Sequence, residues 1–151
     1  MPDLSTALPE ALRLICSILG YSKIGVHLAQ LALEGRIRVN LNLSDRAQAG
    51  LLGTITLGPE AAEASPVSLA QTLVHEAYHL RQNPLLKTVS FWSGVVTHTP
   101  VMRRYEQPAY QAAVDFLEAV KHKHPHLANQ AQDEQNAVRQ VFATDFGGML
   151  S

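Results

Sequence analysis

Ser65-Pro-Val-Ser-Leu-Ala-Gln-Thr-Leu-Val-His-Glu-Ala-Tyr-His-Leu-Arg-Gln82 is the stretch from which the rest of the chain is read. Ser65 followed by Pro66 is a helix opening. The serine hydroxyl can accept from a free first-turn N–H, and proline has no N–H to lose at the first helical position. Pro84 cannot continue a helix, so the spacing predicts one running from 65 to about Gln82. At about 100° per residue, Leu69, Leu73, Ala77 and Leu80, with Ala70 and Val74, form one apolar stripe. Ser68, Thr72, His75 and His79 form another, roughly opposite, and the small hydroxyl residues before the histidines are expected to leave room for a cleft.

Within this helix, His75-Glu76-Ala77-Tyr78-His79 places two imidazoles four residues apart, hence on one face. Both can reach a single ion at about 2.0–2.1 Å, as tetrahedral zinc requires, so His75 and His79 are the candidate metal ligands. Glu76 points elsewhere round the helix. It can contact a water at the metal without being a ligand, the placement a general base needs. Because it falls between the two stripes its carboxylate should be partly desolvated, which raises its pKa toward that duty.

Before the helix, Leu8 to Glu34 carries helical spacing, divided at Gly20 and capped at Gly35. Arg36 to Leu43 alternates apolar and polar residues with a period of two, which predicts a half-buried strand with Ile37, Val39, Leu41 and Leu43 inward. Ser44 to Gly50 reads as a polar turn, and Leu51 to Leu57 as a second strand stopped by Gly58-Pro59. After it, Thr88–Thr97 reads as strand or packed loop. A helix ending near Lys121–Lys123 follows, then a last one over roughly 127–143. The expected fold class is α+β: N-terminal helices, a small sheet, the motif helix and C-terminal helices.

The chain has 151 residues, 46% hydrophobic and 17% charged, which suits one globular domain able to bury roughly two-thirds of its unfolded surface. A net charge of −1 supplies no field for nucleic acid or an anionic membrane, so neither is an expected partner. No run is long and apolar enough for a membrane span, and no basic-then-apolar leader is seen, so the expected location is cytoplasmic. Cys16 is the single cysteine, which excludes an intrachain disulfide and a Cys-rich metal site.

A catalytic zinc takes three protein ligands and leaves a fourth position for water. A third histidine six residues past His79 is absent, since position 85 is Leu85. The remaining candidates are Glu106, His98 and Asp115. Ala109, Ala112, Ala113, Phe116, Leu117 and Val120 define the buried face of the helix after Pro108. Extended back one turn, that face includes Glu106, whereas Asp115 is opposite. A core-facing carboxylate is costly unless paired or metal-bound, which favours Glu106 over His98. The extension holds if the helix opens at Thr99-Pro100, with Pro108 inside at a cost of about 3 kcal/mol, and fails if it opens at Pro108. The competing role for Glu106 is an ion pair with Arg103 or Arg104.

His75-Glu76-x-x-His79 followed by a separate helix bearing a glutamate resembles the zincin metallopeptidases, in particular their glutamate-ligand branch, the gluzincins. The resemblance covers mainly residues 51–120. It implies a motif helix under a small sheet whose edge strand, here 53–57, binds a peptide or protein substrate as an added strand. It also implies zinc on His75, His79 and Glu106, with Glu76 as general base. Where many members carry an aspartate four residues after the ligand glutamate, this chain has Tyr110, so hydrogen-bond support for the histidines comes from elsewhere or is absent. Tyr105, Tyr110 and His98 are candidate donors to a developing oxyanion. Two other readings stay open: a non-catalytic domain of this type that binds a protein partner or uses zinc structurally, and a metal-free helical module. Lys121-His-Lys-His-Pro-His126 is read as a solvated helix end, His27 as packing or surface, and Phe91-Trp92 as core or pocket wall.

Overall fold

The computed structural model describes residues 4–20, 22–43, 46–50, 53–82 and 100–151. Two helices come first, α1 (Leu4–Leu19) and α2 (Lys23–Leu33), separated at Gly20, whose φ of +42° lies in the left-handed region. Gly35 ends α2 at φ +68°. The amide of Arg36 returns to the Leu31 carbonyl (2.8 Å) and that of Gly35 to Ala32 (3.2 Å), the paired C-terminal bonds of a left-handed helix stop. That stop turns the chain directly into β1 (Ile37–Val39).

The sheet has three short strands in the order β1, β3 (Ile55–Leu57), β2 (Ala47–Ala49). β1 runs parallel to β3 and β2 antiparallel. Three expectations are corrected. The alternating stretch from Arg36 is a strand only to Val39, with a turn at residues 41–42, and Val39 and Leu41 are exposed rather than inward. The segment read as a turn contains β2. Ala47-Gln48-Ala49 carries no β-branched or aromatic residue, and it is strand because Gly50 and Gly53 close a tight connection that folds it onto β3. Finally, β3 lies in the middle of the sheet with Ile55 and Leu57 fully buried, so the edge strand beside the motif helix is β2 and not 53–57. Residues 51 and 52 of the expected second strand, and the whole of Thr88–Thr97 with Phe91, Trp92 and His98, lie outside the described residues.

After a short helix α3 (Pro59–Ala62) the motif helix α4 runs Pro66–Leu80, opened as expected by Ser65, whose hydroxyl accepts the Ser68 amide at 3.3 Å. α4 is the centre of the molecule. It packs on α1, α2, β2, β3 and the two C-terminal helices α5 (Pro100–Lys123) and α6 (Ala128–Phe146), so it is buried nearly all round instead of being two-faced. Leu69, Leu73 and Ala77 from α4 join Ile15, Leu28, Leu117 and Phe142 in one apolar cluster. Each such large side chain contributes about 1.5–3 kcal/mol by leaving water.

The stripe of small hydroxyls is also corrected: it holds an arginine. Ser68 and Thr72 are buried, and the Arg46 guanidinium, just before β2, donates to both, at 3.0 Å to Thr72 Oγ1, while its outer edge reaches Glu60 at 3.2 Å. Arg46 thus fastens the β2–β3 hairpin to α4. Arg46→Ala is expected to cost about 1–3 kcal/mol, and Arg46→Lys should recover little of it, since an ammonium lacks the planar fork. Urea denaturation checks this, and a change of a few tenths would contradict the anchoring role.

The 121–126 segment is a fastening as well as a helix end. Lys121 Nζ reaches Glu118 (2.8 Å), Gln132 (2.7 Å) and Gln135 (3.0 Å). His124 Nε2 lies 2.8 Å from Ser17 Oγ on α1, and Lys123 donates to the Ser17 carbonyl. His27 is half-buried on α2, where burial, and then the charge of Arg81, lower its pKa. No described helix is long and apolar enough to cross a membrane.

Candidate metal centre

α5 opens at Pro100 and continues through Pro108 to Lys123, so the turn carrying Glu106 is helical and the extension back from Ala109 holds. Across the α4–α5 contact, Glu106 meets the motif histidines. Its Oε2 lies 2.9 Å from His79 Nε2 and 3.3 Å from His75 Nε2, and the two Nε2 atoms are 3.1 Å apart. His79 is 4% exposed and its ring is fixed; His75 and Glu106 are half-buried. Asp115 is exposed and apart from this group.

The three atoms fit one ion. Ligands at about 2.05 Å from a tetrahedral centre stand about 3.3 Å from one another, close to the three separations found. These side chains could therefore hold a metal ion, the one such group of three among the described residues. Their chemistry points the same way: a carboxylate oxygen and two imidazole nitrogens converge on one point, where acceptor would face acceptor without a cation or protons between them.

Those charges mould each other. Burial alone would raise Glu106, but hydrogen bonds from His75 and His79 and their charge bring it down to about 2. For His79, burial pulls the pKa down, and the hydrogen bond and charge of Glu106 outweigh it, so the net shift is upward. Glu76 is buried at 8% exposure, and that burial raises its pKa against the lowering influence of both histidines. The backbone amide of Ala49 faces its carboxylate. Gly50 bonds inward to Thr54 (2.7 Å), so by the alternation of an antiparallel pair the Ala49 amide points away from β3, off the outer edge of β2. Glu76 is thereby set between the metal group and the sheet edge.

Two tyrosines of α5 wall the histidines. Tyr105 stacks on His79 with centroids 4.4 Å apart, and Tyr110 meets His75 edge-on at 4.5 Å. Burial, then the charge of Glu106, raises both phenols above their ordinary range, so they remain O–H donors. Tyr110 stands where the resemblance called for an aspartate, and it packs against the imidazole as an aromatic wall. The hydrogen bond to a ligand histidine comes from Gln82, which sequence reasoning missed. Its Oε1 lies 2.6 Å from His79 Nδ1 and its Nε2 donates to the Tyr105 carbonyl at 2.6 Å. The only available signal was its place one turn after His79.

A groove of about 450 Å³ lies elsewhere, between α1, the start of α4 and the 3₁₀ turn Pro125–Leu127, and shares no residue with the metal group. No family model, curated protein or solved structure matches the chain.

Proposed function

We propose that the protein is a zinc-dependent metallopeptidase of minimal zincin type. The convergence of His75 Nε2, His79 Nε2 and Glu106 Oε2 from two helices, with the buried Glu76 carboxylate beside them, carries this reading. Two nitrogens and one carboxylate oxygen suit zinc, which when bound would acidify a water to near neutrality and polarise the scissile carbonyl. His75, His79 and Glu106 would hold the ion. Glu76 takes the proton of the attacking water and passes it to the leaving amine, and its raised pKa suits both transfers. Tyr105 and Tyr110, whose rings pack on the two histidines, are the O–H groups offered for steadying the developing oxyanion. The outer edge of β2, unpaired among the described residues and next to Glu76, is the place for an extended peptide to bind as an added strand.

Elemental analysis after zinc repletion is the first test, expected to find about one zinc per chain. Hydroxamate binding and cleavage of a peptide library then separate an open catalytic site from the second reading, a closed structural zinc or a non-catalytic partner-binding domain. That second reading is favoured by the burial of His79, which is 4% exposed. Zinc bound without hydroxamate affinity would establish a closed structural zinc, and absence of zinc after repletion would overturn both zinc readings.

Zinc affinity should fall on acidification, because His79 must give up the Nε2 proton that Glu106 helps it keep. The expected slope is about tenfold per pH unit for each proton displaced, over about pH 5 to 8. Chelator competition across that range measures it; a flat profile would exclude histidine ligation.

A further inference from the structure

We propose that Gln82 is a positioning residue for the metal centre. Its amide clamps the ligand helices α4 and α5 together and holds Nδ1 of His79 as an N–H donor, so that Nε2 is the nitrogen reserved for the metal. This rests on the metal reading above but is decided by geometry of its own.

A glutamine amide has one acceptor and one donor end, and here each end has a partner that admits only one choice. The Tyr105 carbonyl can only accept, so at 2.6 Å it must face Nε2 of Gln82. Oε1 is then the atom 2.6 Å from His79 Nδ1, and an amide oxygen can only accept, so Nδ1 must carry the proton. With Nδ1 engaged in this way, Nε2 is the nitrogen that becomes a ligand once it gives its proton up to the metal. It is this atom that lies 2.9 Å from Glu106 Oε2 and 3.1 Å from His75 Nε2. Gln82 therefore selects the nitrogen that ligates, the atom aimed into the cluster.

The other end of the amide acts on the second helix. Pro108 lacks an N–H, so the turn of α5 that carries Glu106 is deprived of one internal bond, that to the carbonyl of Arg104. Gln82 supplies a donor in that same turn, to the residue immediately before Glu106. One side chain thus sets the rotation of His79 and ties down the backbone that presents Glu106. Tyr105 stacked on His79 closes the loop of contacts.

The test compares Gln82→Leu and Gln82→Glu with the parent protein by zinc–chelator competition. Gln82→Leu removes both ends of the clamp and should bind zinc about 10–100-fold more weakly. Gln82→Glu keeps an acceptor for Nδ1–H and should return to within about tenfold of the parent. Parental affinity in Gln82→Leu would overturn the proposal. A metal-independent measurement uses the parent protein alone: histidine ¹⁵N shifts of the metal-free form at alkaline pH, where the imidazolium is gone. A protonated Nδ1 on His79 supports the clamp, and a bare Nδ1 overturns it. Absence of zinc from the parent protein would sink the metallopeptidase reading, while the ¹⁵N result still decides what Gln82 does to His79.

Discussion

Glu76→Gln is expected to bind zinc as the parent does and to hydrolyse peptides about 10²–10⁴-fold more slowly. That loss corresponds to about 3–5.5 kcal/mol of barrier. The carboxylate is not among the three converging donor atoms, so an amide of the same size leaves the metal group in place. It cannot take a proton from water. The Ala49 amide still has an oxygen to face. Stability provides a second, opposite signature. In the metal-free protein, burial raises the Glu76 pKa above its ordinary 4.5. The folded state then binds that proton more tightly than the unfolded chain does. The charged carboxylate consequently opposes folding above the raised pKa, and this penalty disappears as the pH falls below 4.5. The neutral amide carries no such penalty. Metal-free Glu76→Gln should therefore melt higher than the parent at neutral pH and show no such gain in acid. Zinc stoichiometry, peptide turnover and melting at two pH values check the three parts. Full activity in the variant would end the general-base assignment.

Glu106→Gln tests the third ligand. A carboxylate held down to about 2 by two histidines becomes a neutral amide of the same shape, a poor ligand for zinc. Losing the hydrogen-bond partner of a ligand already weakens metal binding by about 10–100-fold, so losing a ligand should cost about a hundredfold or more. The metal-free fold should lose stability at neutral pH, because a carboxylate whose pKa the fold lowers stabilises it above the ordinary 4.5, so the zinc-induced increment is compared within each variant. Thermal shift reads this directly: zinc at about 100 times its dissociation constant stabilises the parent by about 2.7 kcal/mol. Glu106→Gln at the same zinc concentration should lose most of that increment. His79→Ala should lose it too, because it removes the atom at the centre of the cluster. Parental zinc affinity in Glu106→Gln would mean that the ion is held by His75, His79 and another residue.

The amino-acid sequence by itself determined the elements that local chemistry controls. Ser65-Pro66 opened α4, Gly35 closed α2, and the four-residue spacing put His75 and His79 on one face, because caps, left-handed stops and helical periodicity involve only neighbouring residues. Glu106 was legible for a related reason. A carboxylate in phase with Ala109, Ala113 and Phe116 must face the interior, and it does so only because the helix runs through Pro108. Tertiary structure decided what depends on partners distant in the chain. Ala47–Ala49 has no intrinsic preference for strand and is one because β3 pairs with it. Val39 and Leu41 alternate like buried residues and are exposed, because the chain turns after three paired residues. The hydroxyl face of α4 has the composition of a cleft wall, and Arg46 fills it from 22 and 26 positions away. Gln82 acquires its role from a carbonyl on α5, 23 residues on, that no periodicity in the sequence could have placed beside it.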